Sequence, residues 1–339
     1  MKKYVELPLN EPLYSTYHSL GPSTAIAANN PSIRNFFLNH SVGLVCNRRF
    51  LSGFTTPEII VLHAAWWECP HLETIDISDE TARSGVDSVI CKWMNRGYYV
   101  LFNDVDDYYV EGKSWYKERH VGHDGLICGY NHVDKTYCIY AYDKRWIYQK
   151  FWTSQTSFNT GCESMIRQGC TPSFIAIRAK EDHIEFYPWA VYCYLKEYLD
   201  SDLEKYPFGG ETNVYGVVVH AFIAEYIDML HKGAIPYERM DRRILRMIWE
   251  HKKVMLERIE AIESWLGVNR GYSEPYSMIV HDMDMARMLY AAHHKKKRDS
   301  VLPVIKEKLL EVMEKEQRLL NMLIEDMGRK FESDIVETT

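Results

Sequence analysis

The hydrophobic pattern of the chain changes at the paired glycines Gly209 and Gly210. Before them, short strand-like and helical runs alternate with turn residues. After them, apolar residues recur at helical spacing over 213–232, 238–267 and 300–330. The pattern predicts an α+β domain over residues 1–210 and a helical domain over residues 211–339, with the boundary at the glycine pair.

The first half contains the signals of an antiparallel sheet. Residues 98–102 read as a buried strand after a helix over about 79–95, and residues 172–179 read as another strand. Between them, two β-prone runs at 126–130 and 136–142 flank a short polar segment, which is the pattern of a β-hairpin.

Composition excludes several classes of protein. The 339 residues carry a net charge of −7, so duplex nucleic acid is not an expected partner. No apolar run is long enough to span a membrane, and the N-terminus lacks a signal-peptide core, so we expect a soluble, cytoplasmic protein without a membrane partner. The eight cysteines include no C-x-x-C pair and are expected to be reduced and mostly buried. Histidines at metal-ligand spacing and nucleotide-binding glycine motifs are also missing, so neither metal nor cofactor is predicted.

The hairpin predicts a histidine–carboxylate pair at its open end. Residues that face each other across this hairpin share an index sum of about 267, and His123 and Asp143 sum to 266. Such a pair fixes the imidazole tautomer and stabilises the imidazolium, which is the role of the third member of a catalytic triad. The competing interpretation is a surface ion pair without function.

These residues resemble a known family. A strand that begins with His, followed by a strand that ends in Asp, is similar to the papain-like fold of C39 peptidases, and within it to the butirosin-biosynthesis acyltransferase family. The resemblance rests on the His123–Asp143 hairpin and on five shorter segments: 17–27, 97–100, 105–109, 115–123 and the helical tail with 214–216 and 250–252. The chain departs from the family at Lys144, where proline often follows the Asp, and at Ser19, where the family has its cysteine nucleophile.

The resemblance implies that position 19 is the nucleophile, before a helix that Pro22 opens. Two explanations for a serine stay open: a Ser–His–Asp triad, or an inactivating replacement of cysteine by serine. The alternative without catalysis is that Ser19 or Ser23 caps the helix. Cys46 is the rival nucleophile, but it follows an apolar run and is predicted to be a buried structural thiol.

The resemblance implies an amide-forming acyltransferase of antibiotic-type, nonribosomal biosynthesis, with Ser19, His123 and Asp143 as its triad. It would move an acyl group from the phosphopantetheine thioester of an acyl or peptidyl carrier protein to a small amine or diamine. Aromatic residues of 98–120 would line a channel for the pantetheine arm. The alternatives are a peptidase or amidase of the same fold, and a module that binds a carrier protein or a peptide without catalysis.

Two charged segments carry separate expectations. The acidic run 103–107 reads as a solvated strand end rather than a cation-binding loop, because it lacks the glycine and distal glutamate of an EF-hand. The basic run 293–298 reads as a solvated helix end, or as a docking patch for an acidic carrier protein.

Overall fold

The computed structural model describes residues 2–17, 19–47, 56–201, 213–269 and 271–338, and the side chains of these as far as residue 335. His18 and the predicted boundary at Gly209 and Gly210 lie outside the described residues. The chain divides into two compact units at points other than that boundary: residues 1–33 with 66–183, and residues 34–65 with 184–339.

The described residues form ten strands and ten α-helices. The strands are β1 (Tyr4–Glu6), β2 (Leu44–Asn47), β3 (Ile59–Val61), β4 (Leu72–Asp76), β5 (Tyr99–Asp106), β6 (Gly122–Asn131), β7 (Thr136–Tyr142), β8 (Tyr148–Ser154), β9 (Ser173–Ala179) and β10 (Asn213–Tyr215). The helices are α1 (Gly21–Ala27), α2 (Pro31–His40), α3 (Ser78–Ser84), α4 (Val86–Met94), α5 (Gln155–Arg167), α6 (Pro188–Asp200), α7 (Val219–His231), α8 (Ile244–Leu266), α9 (Ser273–Lys296) and α10 (Leu302–Thr338).

The first unit is built on an antiparallel sheet in the order β4-β9-β5-β6-β7-β8, with β1 paired to β6. One face buries apolar side chains of β5, β6 and β7 against α4 and α5. On the opposite face, the Tyr99, Tyr140 and Tyr142 hydroxyls donate to carbonyl groups of residues 8–15. The α+β class, with an antiparallel sheet and a C-terminal helical region, is therefore confirmed.

The predicted hairpin is confirmed as β6 and β7. Its register pairs Leu126 with Tyr140, and a bulge after Ile127 shifts the pairing so that Gly129 faces Cys138. The index sums are thus 266 near the open end and 267 near the turn, as the sequence indicates. The predicted strand over 172–179 is confirmed as β9.

The predicted helix over 79–95 is two helices, α3 and α4, that meet at Gly85. This residue has φ of 83°, in the left-handed region where glycine is favoured because it has no Cβ. A continuous helix cannot pass through that conformation. The apolar periodicity continues across the break, which is why sequence alone joined the two segments.

The second unit contains the predicted helical region: α7 and α8 lie inside the first two predicted spans, and α10 begins inside the third span and continues beyond it to Thr338. Helix α9 occupies a stretch with weak apolar periodicity and was not predicted. A three-stranded sheet, β10-β2-β3, belongs to the same unit. None of the helices in the described ranges has both the length and the apolar character needed to cross a membrane.

A fully buried ion pair crosses the helices of the second unit. The Lys252 ammonium lies 2.6 Å from a carboxylate oxygen of Glu316, and both side chains have no exposed surface. The hydroxyls of Tyr198 and Tyr276 also donate to Glu316. Burial would raise the pKa of Glu316, but Lys252, His220 and the hydrogen bond from Tyr276 together outweigh it and hold the pKa below its ordinary value. Such a pair keeps its charges inside only because every partner is in place.

Candidate functional site

The candidate site in the first unit centres on His123, near the start of β6. Its Nδ1 atom lies 2.8 Å from Oδ2 of Asp107. The carboxylate is fully buried, whereas 23% of the imidazole side chain is exposed. Because a carboxylate accepts and does not donate, the contact favours the tautomer of the neutral imidazole that has its proton on Nδ1 and its lone pair on Nε2. This is the arrangement of a general base with its orienting acid.

The pairing of β5 with β6 brings these two residues together. Val105 lies opposite His123, and the Asp107 N–H donates to the carbonyl of Val121. Asp107 is therefore two residues beyond Val105 and on the same side of the strand pair as His123. A register shift between Phe102 and Val105 sets this alignment. Without the shift, Asp107 would be displaced by one residue and would point to the other side.

A buried lysine supports the pair. Nζ of Lys113 lies 3.2 Å from Oδ1 of Asp107, and neither side chain is exposed to solvent. The same ammonium donates to the carbonyl of Asp124 at 2.7 Å. Asp107 thus has an ion-pair contact with Lys113 at one oxygen and a hydrogen bond with His123 at the other, and the two contacts together favour one orientation of its carboxylate.

The predicted orienting carboxylate, Asp143, has other partners. Its oxygens accept from the backbone N–H groups of Arg145 and Ile147 and from the side chain of Gln149. Burial would raise the pKa of Asp143, but these hydrogen bonds outweigh it and hold the pKa below its ordinary value. Asp143 therefore closes the turn between β7 and β8, and Asp107 takes the place at Nδ1 of His123 that was predicted for it.

The physical reason is that the β6–β7 ladder ends before the predicted pair. Regular pairing begins at Leu126 and Tyr140, and Asp143 instead forms an isolated bridge with Lys113. The segment after β5 thus lies alongside the end of β7. A constant index sum predicts which residues face each other only where the two strands are paired, and His123 and Asp143 lie beyond the paired residues of β6 and β7.

A second histidine–aspartate pair lies beside the first. Nδ1 of His120 is 2.7 Å from Oδ2 of Asp106, which also accepts from the Ser164 hydroxyl at 2.6 Å. Burial would raise the pKa of Asp106, but the bonds from Ser164, His120 and the Tyr108 N–H hold it below its ordinary value. The expectation of a solvated strand end at 103–107 is therefore wrong for Asp106 and Asp107, which are fully buried.

The predicted nucleophile, Ser19, directly precedes the turn into α1. Pro22 occupies the first turn of that helix, as expected, and neither Ser19 nor Ser23 caps it with a side chain. The Ser23 hydroxyl donates instead to the carbonyl of Leu20, and the Ser19 carbonyl accepts from the N–H of Trp66. Among the described residues, no hydrogen bond joins the Ser19 hydroxyl to His123, so the structure does not bring the predicted triad into contact.

Packing places the start of α1 at the open end of the hairpin. A Cβ on Gly21 would lie 2.4 Å from the hydroxyl oxygen of Tyr148, so any larger residue would force the Tyr148 ring to move. Tyr148 pairs with Tyr142 at the end of β7. Since the strands are antiparallel, this is also the end of the sheet at which β6 and His123 begin.

The rival nucleophile Cys46 lies in β2 with no exposed surface, and burial raises the pKa of its thiol to about 12. Its prediction as a structural thiol agrees with this environment, since the thiolate is the reactive form. All eight cysteines are free and six are buried, as expected; Cys170 is exposed and Cys193 is half-buried.

The aromatic residues of 98–120 divide into two groups. Tyr98, Tyr99 and Phe102 are buried, whereas Tyr108, Tyr109, Trp115 and Tyr116 are half-buried. Only the second group could contact a substrate. The basic run 293–298 forms the C-terminal end of α9 and the residues after it, and His293 within it is buried.

In the described part of the chain, no group of three or more His, Cys, Asp or Glu side chains is arranged to hold a metal ion. Sequence reasoning missed Asp106, Asp107, Lys113 and His120 as site residues. The available signal was the acidic pair at the end of one strand and the two histidines at the start of the next. The loop between those strands is too long for index sums to pair them.

No protein-family model matches the sequence, and the comparison with curated proteins gives no match either.

Proposed function

We propose that the protein is an amide-forming acyltransferase with a papain-like catalytic unit, as the resemblance to the butirosin-biosynthesis acyltransferase family implies. The observation that carries the proposal is the contact between Nδ1 of His123 and the buried carboxylate of Asp107. It supplies a partly exposed imidazole in a fixed tautomer, which acyl transfer needs for both of its half-reactions. Asp107 replaces Asp143 as the orienting acid.

In the first half-reaction, the residue at position 19 attacks the carbonyl carbon of the acyl thioester. Nε2 of His123 takes the proton of the Ser19 hydroxyl and delivers it to the departing sulfur. The C–S bond breaks, a C–O bond forms, and an acyl-enzyme and a free thiol result. Asp107 stabilises the imidazolium between these two transfers.

In the second half-reaction, a neutral amine attacks the acyl-enzyme. His123 takes one proton from the amine nitrogen and returns it to the Ser19 oxygen as the ester bond breaks. The products are an amide and the free enzyme. Since the acyl group arrives activated as a thioester, the bond formation needs no nucleotide.

The placement of the nucleophile segment supports this mechanism. Gly21 packs on Tyr148 at the sheet end where β6 begins, so Ser19 and His123 belong to the same end of the first unit. The mechanism requires a hydrogen bond between the Ser19 hydroxyl and Nε2 of His123. Catalytic hydrogen bonds often tighten only when substrate binds, so we expect this contact to form in the complex with the acyl donor.

The donor that fits the proposal is a cytoplasmic acyl or peptidyl carrier protein. Carrier proteins are acidic, and the exposed residues 295–298 of the basic run, at the C-terminal end of α9 and just beyond it, offer a complementary charge. The chain also looks like the amide-forming enzyme of the closthioamide pathway, which joins carrier-bound thioesters to a diamine. A small amine or diamine is therefore the proposed acceptor.

Intact-protein mass spectrometry tests the proposal. The protein and its Ser19→Cys variant are mixed with a simple acyl thioester, such as an acyl-N-acetylcysteamine, and an amine is added afterwards. We expect an acyl adduct on residue 19 that the amine discharges as an amide. Ser19→Ala and His123→Ala are the controls, and neither should form the adduct.

Each other outcome is informative. An adduct only on Ser19→Cys means that serine replaces the working nucleophile. Discharge to the free acid, with amine present, means an amidase or peptidase. No adduct on either protein overturns the acyltransferase, and binding of a carrier protein without turnover then remains the function to test.

A further inference from the structure

We propose that Tyr108, Tyr109 and Tyr116 form a binding site for a primary ammonium group, and that the protein's own Lys117 fills it in the absence of ligand. We call these three rings the tyrosine cage. The inference deepens the proposed function, because the ligand would be the acceptor amine. It concerns binding, however, and can be tested without turnover.

The geometry of the tyrosine cage is that of a cation site. Nζ of Lys117 lies 5.1, 5.3 and 5.4 Å from the ring centroids of Tyr108, Tyr109 and Tyr116. All three distances are within the range in which a ring face attracts a cation. The rings of Tyr108 and Tyr109 meet at 76°, so they form two walls of a corner rather than a flat stack. Aromatic corners of this kind recognise ammonium ligands.

The occupant is held in an unfavourable backbone conformation. Lys117 has φ of 60°, in the left-handed region that side-chain-bearing residues other than Asn and Asp enter rarely. Its N–H donates to the carbonyl of Tyr108, which closes the segment around the rings. Since the lysine is exposed, its contact with the rings is weak and open to competition from solvent. An external ammonium could therefore displace it.

A proton acceptor adjoins the tyrosine cage. The His120 ring stacks on Tyr108 with centroids 4.1 Å apart and planes at 24°. Its Nδ1 contacts the buried carboxylate of Asp106, so in the neutral imidazole the lone pair lies on Nε2, and the side chain is half exposed.

This base meets a requirement of the proposed reaction. An ammonium ion has no lone pair and must lose a proton before it can attack an acyl group. Transfer of that proton to Nε2 of His120 gives the free amine and an imidazolium, whose charge Asp106 balances. His123 then remains available for the nucleophile and the leaving group.

A matched lysine elsewhere serves as the control. Nζ of Lys196 lies 5.4 Å from the ring of Tyr192, the single ring it contacts among the described residues. Lys196→Met therefore removes an ordinary surface contact, whereas Lys117→Met empties the tyrosine cage. Lys117→Arg keeps a cation in the tyrosine cage, so it shows whether the positive charge at position 117, rather than the shape of the lysine side chain, blocks the ligand.

The experiment is an NMR titration of tyrosine-labelled protein with n-butylammonium, and with 1-butanol as the uncharged analogue. We expect Lys117→Met to bind n-butylammonium at least about fivefold more tightly than the wild type, because the ligand no longer has to displace the cation–π contact of Lys117. Lys117→Arg and Lys196→Met should match the wild type, and a Tyr109→Leu change in the Lys117→Met protein should remove the gain.

Three results would overturn the inference: no gain in Lys117→Met, an equal gain in Lys196→Met, or equal shifts of the tyrosine signals with 1-butanol. None of them bears on whether an acyl-enzyme forms. Failure of this site and failure of the proposed function are therefore distinguishable.

Discussion

Replacing the two candidate orienting acids one at a time separates their roles. In Asp107→Asn, the ammonium of Lys113, 3.2 Å from Oδ1, will hold the amide oxygen on its own side. The amide NH₂ group then faces Nδ1 of His123, which must accept instead of donate. The proton moves to Nε2, and the lone pair is lost from the nitrogen that would act as base.

The structure sets the expected size of each effect. An asparagine that imposes the wrong tautomer in a triad lowers the rate by about 10⁴-fold, and we expect a loss of that order for Asp107→Asn. Asp143→Asn keeps the contact between His123 and Asp107 but weakens the bonds from Arg145, Ile147 and Gln149. Since these bonds end on a charged group, we expect a loss of about 1.5–3 kcal/mol in the free energy of unfolding and little change in rate.

Three assays apply to both variants. Mass spectrometry gives the rate of acyl-adduct formation, measured in the Ser19 protein or in the Ser19→Cys background, according to which of the two forms the adduct. Nitrogen-15 NMR of the imidazole reports the tautomer of His123 without any turnover, and urea unfolding gives the free energy of unfolding. If Asp143→Asn stops acylation while Asp107→Asn leaves both the rate and the tautomer unchanged, the assignment of Asp107 is refuted.

Three further predictions concern the rest of the molecule. Lys252→Met should lower the free energy of unfolding by about 3–5 kcal/mol, because it leaves the Glu316 carboxylate buried without its cation. Urea unfolding measures this loss. A Lys252→Met/Glu316→Leu double variant that is no more stable than Lys252→Met would contradict the explanation. Iodoacetamide should modify exposed Cys170 well before buried Cys46, with peptide mapping as the readout. Because the pKa of Asp106 is lowered in the folded protein, its stabilisation is complete above about pH 4 and is lost as the pH falls towards the folded pKa. An Asp106→Asn protein should therefore lose less stability than the wild type in acid unfolding, and an unchanged acid profile would argue against that role.

The elements that sequence predicted well are those defined by local pattern. The β6–β7 hairpin follows from two β-prone runs and a short polar turn, so even its register could be estimated. Helix α8 buries Ile244, Met247 and Ile248 at the spacing the sequence shows. The break at Gly85 was missed because one glycine does not interrupt the apolar period on either side of it.

Sequence alone therefore determined the class of the fold, the hairpin and the position of His123 at its open end. The tertiary structure decided which carboxylate that histidine meets. Asp107 reaches it because a bulge in β5 sets the alignment with β6 across a long loop, and Asp143 does not because the β7 ladder ends first. Local patterns fix residues that are close along the chain, whereas the partner of a buried charge depends on how distant strands align.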